Sequence, residues 1–197
     1  MREVINTTKA SPEEKMVILD LVVTYCATLK AKLRHGPVPV SRALDYQHLT
    51  TPCNALLQNI GQWLYLHRPN EFVYRNFNDY LNQMSTIQGG CERISNTPIP
   101  YAYSLLLHRT VGIFCAVYPL LLIHDFGFMT LLFSIFTTYA LLALDAIATE
   151  LEDPFGTEDN DLPLNAICNA IEIDLKEMVK DSLVPTKMTP DANFRLL

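Results

Sequence analysis

Six carboxylates crowd into twelve residues at ELEDPFGTEDND (150–161): Glu150, Glu152, Asp153, Glu158, Asp159 and Asp161. Oxygen donors at that density can hold a hard divalent cation, present an acidic face to a partner, or simply finish a helix that leaves a membrane. The stretch directly follows some of the most apolar sequence in the chain, so its role depends on its neighbours. Other chemistry is sparse. There is no GxSxG, P-loop, HExxH or dinucleotide fingerprint, which argues against an enzyme. His108 and His124 have no His or Cys at ligand spacing. Cys26, Cys53, Cys91, Cys115 and Cys168 form no CxxC pair, as expected of reduced thiols in a cytoplasmic setting.

The elements that must position these residues come from a chain of mixed character. Of 197 residues, 49% are hydrophobic and 18% charged, and mean hydropathy is +0.13. That is apolar for a soluble protein and too polar for one that lies mostly in lipid. Residues 1–100 hold ten Lys and Arg against eight Asp and Glu, whereas residues 150–197 hold four against eleven. No stretch is basic enough to track phosphates, so nucleic acid is not an expected partner. MREVINTTKASPEEK at the N-terminus has no apolar core of a cleavable signal.

Ser11-Pro12-Glu13-Glu14 predicts a helix start, with a Ser cap, Pro in the first turn and acids at the positive dipole end. The helix that follows, to Leu33, carries Ile18, Leu21, Val22, Tyr25, Leu29 and Leu33 on one face, while Asp20, Lys30 and Lys32 exclude a dry membrane span. GPVPVS (36–41) predicts a turn. Three or so helices are expected before residue 97, including one over 51–67 and one over 70–93. Gly89-Gly90 inside the latter would permit a bend or a close backbone approach.

Thr97-Pro98-Ile99-Pro100 predicts a rigid lead into YAYSLLLHRTVGIFCAVYPLLLI, and after His124-Asp125 residues 126–144 run for 19 positions without a charge. About 20 apolar residues cross a bilayer core, so the two segments predict a membrane helical hairpin. Both flanks then lie on one side, and the Lys and Arg of the N-terminal flank place that side in the cytoplasm. A fully buried soluble hairpin is the competing reading. Asp153-Pro154 should end the second helix, Phe155 should tuck inward and Gly156 should turn the chain. Asp161 or Asn160 should cap a final amphipathic helix over 165–179. From Leu183 a tail is expected to be loosely ordered or wrapped on a neighbour. The expected regions are 1–97 cytosolic, 98–149 hairpin, and 150–197 acidic turn, helix and tail.

GGCER (89–93), TPIPYAYSLLLHRT (97–110), LDAIATELEDPFG (144–156) and NDLPLNAICNAIEIDL (160–175) together resemble the bestrophin family, closest to its bacterial members. The resemblance implies an all-α fold, with a membrane hairpin plus a cytosolic helical bundle, assembled as a homopentamer around a central axis. It implies a multi-pass protein of the bacterial inner membrane, with both termini cytoplasmic and the lipid bilayer as a partner. The function implied is a channel for passive transport of small inorganic ions. Chloride is the family default, and the negative charge leaves cation selectivity open. The family pattern also places an earlier pair of membrane helices, with the apolar pore neck, before the region matched. The alternative reading is therefore a truncated non-conducting membrane scaffold or a co-assembling fragment.

Site residues follow from the same resemblance. Counting back from Ile99-Pro100, Phe72 falls where family members place the constriction at the cytosolic exit of the pore; a ring of apolar side chains can gate by dewetting. Matching through Pro154-Phe155-Gly156, the calcium-ligand-like positions of calcium-gated members fall on Glu158 and Asp161, with Glu150 and Asp153 preceding. Calcium is thus a candidate cofactor. Arg109 could draw anions toward the pore, snorkel to headgroups, or pair with Asp145. Asp145 itself is either a polar anchor or an ion-facing charge.

Overall fold

The computed structural model describes residues 1–39, 48–68, 70–97, 100–181, 183–191 and 196. Val40-Ser41 of the expected turn and Pro98-Ile99 of the expected rigid lead lie outside the described residues. All regular structure among those described is helical. Two compact units form: Met1–Ile94 with Leu162–Leu197, and Ser95–Asp161. The first and last of the three expected regions are therefore largely one body.

That first unit is built on α2 (Pro12–Leu33), preceded by the short α1 (Arg2–Thr7). The Ser11 cap forms as a full capping box: Ser11 Oγ accepts the Glu14 N–H at 3.3 Å, and Ser11 N–H donates to Glu14 Oε2 at 2.7 Å. Glu14 also reaches His67 Nε2 at 3.2 Å. α2 buries more than the face expected. Ile18, Leu21, Val22, Tyr25 and Leu33 are inside, but so are Leu19, Thr24 and Thr28. The reason is that α2 packs on both α3 (Pro52–Leu66) and α7 (Leu164–Met178). α3 presents Cys53, Leu56, Ile60, Trp63 and Leu64 at helical spacing. Fully burying a side chain such as Ile18 or Leu56 is worth about 1.5–3 kcal/mol. The turn after α2 is made at His35 (φ 51), where Gly36 N–H donates back to Ala31 O at 2.7 Å.

α4 (Glu71–Asn96) buries Phe77 and Gln88, and Val73, Tyr74, Leu81 and Met84 pack on the core while staying partly exposed. Gln88 is fully engaged. Its Oε1 accepts from Tyr25 OH at 3.3 Å, and its Nε2 donates to Asn54 Oδ1 at 2.9 Å and Glu92 Oε1 at 2.8 Å. Lys32 Nζ closes the network on Glu92 at 2.8 Å. Gly89 and Gly90 lie inside the unbroken helix, and a Cβ at either would meet nothing within 4 Å. All five cysteines are free thiols, and burial pushes Cys26 and Cys53 up to about 11. The tail is tied back to α7: Asn169 Nδ2 donates to Thr186 O at 3.2 Å, and Met188 N–H donates to Asn169 Oδ1 at 3.0 Å.

The second unit is an antiparallel pair, α5 (Tyr101–Phe126) and α6 (Met129–Glu150). The turn falls two residues later than His124-Asp125, which stay helical. Gly127 makes it instead, with φ 50, a conformation that side-chain-bearing residues rarely adopt. Both helices are long and apolar enough to cross a membrane, and their apolar windows are 0% and 6% buried. A hairpin buried inside the chain is thereby set aside.

Candidate functional site

Phe72 sits in the first turn of α4 and is 73% exposed, so it is not part of the core. Its position is fixed locally. Asn70 Oδ1 accepts the Val73 N–H at 2.9 Å, as a helix cap does. Just before it, the Arg68 guanidinium stacks 3.6 Å over the Tyr65 ring while its Nε donates to Glu71 at 3.0 Å. Further along α4, Tyr80, Ile87 and Ile94 are also more than half exposed. Steps of eight, seven and seven residues put these four side chains on one side of the helix. The sequence reading singled out Phe72 alone and missed the row it begins.

In the hairpin, His108 Nδ1–H donates to Asp145 Oδ2 at 2.6 Å. The expected Arg109–Asp145 alternative is not formed, because one residue of helical phase, about 100°, turns Arg109 away from α6. Arg109 is exposed. Asp145 is turned into the seam, its side chain 15% exposed and its Oδ1 buried without a partner among the described residues. Ser104 Oγ donates to Glu152 at 2.9 Å nearer the open end, and Thr130 Oγ1 donates to the Leu122 carbonyl at 3.0 Å near the turn.

The acidic stretch forms a hydrogen-bonded joint. α6 ends at Glu150, three residues ahead of the expected Asp153-Pro154 stop. Asp153 Oδ1 accepts the Phe155 N–H at 3.4 Å, and Phe155 is 5% exposed. Asp161 Oδ2 accepts the Glu158 N–H at 2.6 Å, and the Asn160 amide donates to the Glu150 carboxylate. A Cβ on Gly156 would stand 2.5 Å from Asp161 Oδ2. The predicted capping of α7 by Asp161 or Asn160 does not occur: Pro163 occupies the N-cap without a side-chain bond, and both residues are used within the turn.

Glu150, Asp153, Gly156, Glu158 and Asp161 line an open depression of ≈ 590 Å³. Calcium takes six to eight oxygens. Here Asp161 and Glu150 are each spent on a neighbour's N–H, and among the described residues no three His, Cys, Asp or Glu side chains converge as metal ligands. In this arrangement the acids serve the turn itself. Its chemistry is that of a rigid turn.

Comparison with known proteins extends these findings. The family described as Bacterial/Fungal Bestrophin protein matches residues 1–177. The voltage-dependent anion channel-forming protein YneE of Salmonella typhi is 42% identical over 93% of this chain and 64% of its own length. Its namesake in Escherichia coli is 48% identical over 74% of this chain and 49% of its own length. The chain thus spans less than two thirds of these relatives. The crystal structure of a bacterial bestrophin homolog from Klebsiella pneumoniae superimposes with a TM-score of 0.83 at 34% identity, covering 91% of this chain and 71% of that one.

Proposed function

This chain belongs to the bacterial and fungal bestrophin family, and we propose that it is a subunit of a homopentameric channel through which small anions pass passively across a membrane. The relatives' name, voltage-dependent anion channel-forming protein, supports anions as the cargo, with chloride the simplest of them. In this reading the α5–α6 hairpin lies in the bilayer, and the bundle of α1 to α4 and α7 is cytoplasmic, as are both termini. The role is transport, with no reaction for side chains to catalyse.

One observation carries the reading furthest: the exposed row Phe72, Tyr80, Ile87, Ile94 on a helix whose other side, with Phe77, Leu81, Met84 and Gln88, packs on its own core. Large apolar side chains in line on an exposed helix face favour contact with further protein. Five copies about an axis would give each row a neighbour and bring five Phe72 rings together as a constriction. Narrow apolar rings pass ions only when wetted. Arg109, exposed on the hairpin, is the cation on it best placed to meet anions or lipid phosphates.

The test is mass first, flux second. Light scattering of the complex in mild detergent, corrected for bound detergent, is expected to give close to five chains; a monomer or dimer rejects the pore. Chloride efflux from liposomes holding the pentamer is then expected. A pentamer without efflux would leave a non-conducting scaffold.

A further inference from the structure

α5 contains a proline, Pro119, yet runs as one helix from Tyr101 to Phe126. Proline brings no N–H, so the Cys115 carbonyl lacks the donor that the residue four positions on normally supplies. In hydrocarbon such a carbonyl must find a partner elsewhere. Along α5, Val111, Cys115, Tyr118, Pro119 and Leu122 are half-buried, while Phe114, Val117, Leu120 and Leu121 are exposed. The broken edge of the helix therefore faces α6. Helix carbonyls point toward the C-terminus, so the Cys115 oxygen is aimed along the helix at Pro119, about 2 Å beyond its own Cα.

The register of the pair is fixed by Thr130 bonding to Leu122 at one end and His108 to Asp145 at the other. Interpolating between them levels Pro119 with residues 133 and 134. Phe133 is exposed, whereas Ser134 is 7% exposed and its hydroxyl has no hydrogen-bond partner among the described residues. A carbonyl short of a donor and a buried hydroxyl short of a partner thus lie within about one turn of each other along the seam, with no direct bond between them. Thr138, half-buried one turn along the same face of α6, is a further hydroxyl within that seam.

We propose that a buried water molecule bridges the Ser134 hydroxyl and the Cys115 carbonyl, closing the gap that Pro119 opens in α5. Water meets the demand because it donates to the carbonyl and still pairs with a hydroxyl, and buried waters take two to four such partners. A metal cation would be uncompensated: the nearest acid along α6 is Asp145, three turns or about 16 Å away. This site is independent of the channel reading, since a hairpin that conducts nothing needs the same bridge.

The sign of one substitution tests it. Removing a partner from a satisfied buried network destabilises, whereas removing an orphan hydroxyl is neutral or stabilising. Ser134→Ala is expected to lower Tm in detergent by about 2–4 °C. In a Pro119→Ala background, where the backbone N–H is restored, the same change is expected to cost nothing. An unchanged or raised Tm for Ser134→Ala, or an equal drop in both backgrounds, overturns the proposal. A density map in lipid that resolves ordered waters gives the direct reading: a peak within hydrogen-bond distance of both Ser134 Oγ and Cys115 O is expected, and its absence is fatal.

Discussion

His108 Nδ1 lies 2.6 Å from Asp145 Oδ2, joining α5 to α6 near the open end of the hairpin. Two apolar helices gain no hydrophobic drive from each other in lipid, so such bonds and close packing hold them together. His108→Ala should strand a carboxylate whose other oxygen is already buried without a partner. Asp145→Asn keeps an acceptor and should cost less. In a double-mutant cycle the pair should show a coupling of about 1 kcal/mol, read from thermal or denaturant unfolding in detergent. Additive effects would mean that the pair contributes shape alone.

Gly156 is required by crowding, since its φ is not positive. An added Cβ would sit 2.5 Å from Asp161 Oδ2 and displace the carboxylate that accepts the Glu158 N–H. Gly156→Ala should therefore destabilise the joint by about 0.5–1.5 kcal/mol, the usual net worth of one exposed hydrogen bond. Once Asp161→Ala has removed the obstacle, adding Gly156→Ala should cost little more. Equal costs in both backgrounds would point to a different obstacle.

Glu92 gives the bundle built on α2 a pH dependence. Burial alone would raise its carboxyl, but hydrogen bonds from Lys32 and Gln88, with the charge of Lys32, outweigh this and leave it below the ordinary 4.5. A lowered acid stabilises the fold at pH above its unfolded value, and that contribution drains away as pH falls through the folded one. Unfolding followed from pH 7 downward should show wild type losing stability below about 4.5 more steeply than Glu92→Gln. Parallel curves would show that the Lys32–Glu92 contact is not maintained in solution.

Much of this architecture was legible because it is written locally. Ser11-Pro12-Glu13-Glu14 announces a capped helix start in four residues, and the charge-free run after Asp125 announces a span by length alone. What was hidden depends on tertiary phase and register. Leu19 is buried because α7 returns from residue 164 to cover its side of α2, and nothing near position 19 records that return. His108 rather than Arg109 meets Asp145 because adjacent residues point about 100° apart, a difference that charge counting ignores. The acids of 150–161 read as metal ligands or helix caps, but they bond to each other's neighbours because Gly156 lets the turn close tightly. Pro119 and Ser134 are fifteen residues apart and meet only once the hairpin register is known.

Phe72 separates a structural role from a transport one. At 73% exposure its ring adds little to the subunit's own core, so Phe72→Ala should leave subunit stability within about 0.5 kcal/mol of wild type. If five such rings narrow the ion path, the same change should raise conductance or shift the preference among anions, because a wider and more polar passage stays wetted. Both readouts belong on one preparation whose mass has been shown to be pentameric. A changed current with an unchanged melting curve places Phe72 in the path. An unchanged current from an intact, conducting pentamer removes it, and the exposed row on α4 then serves subunit contact alone.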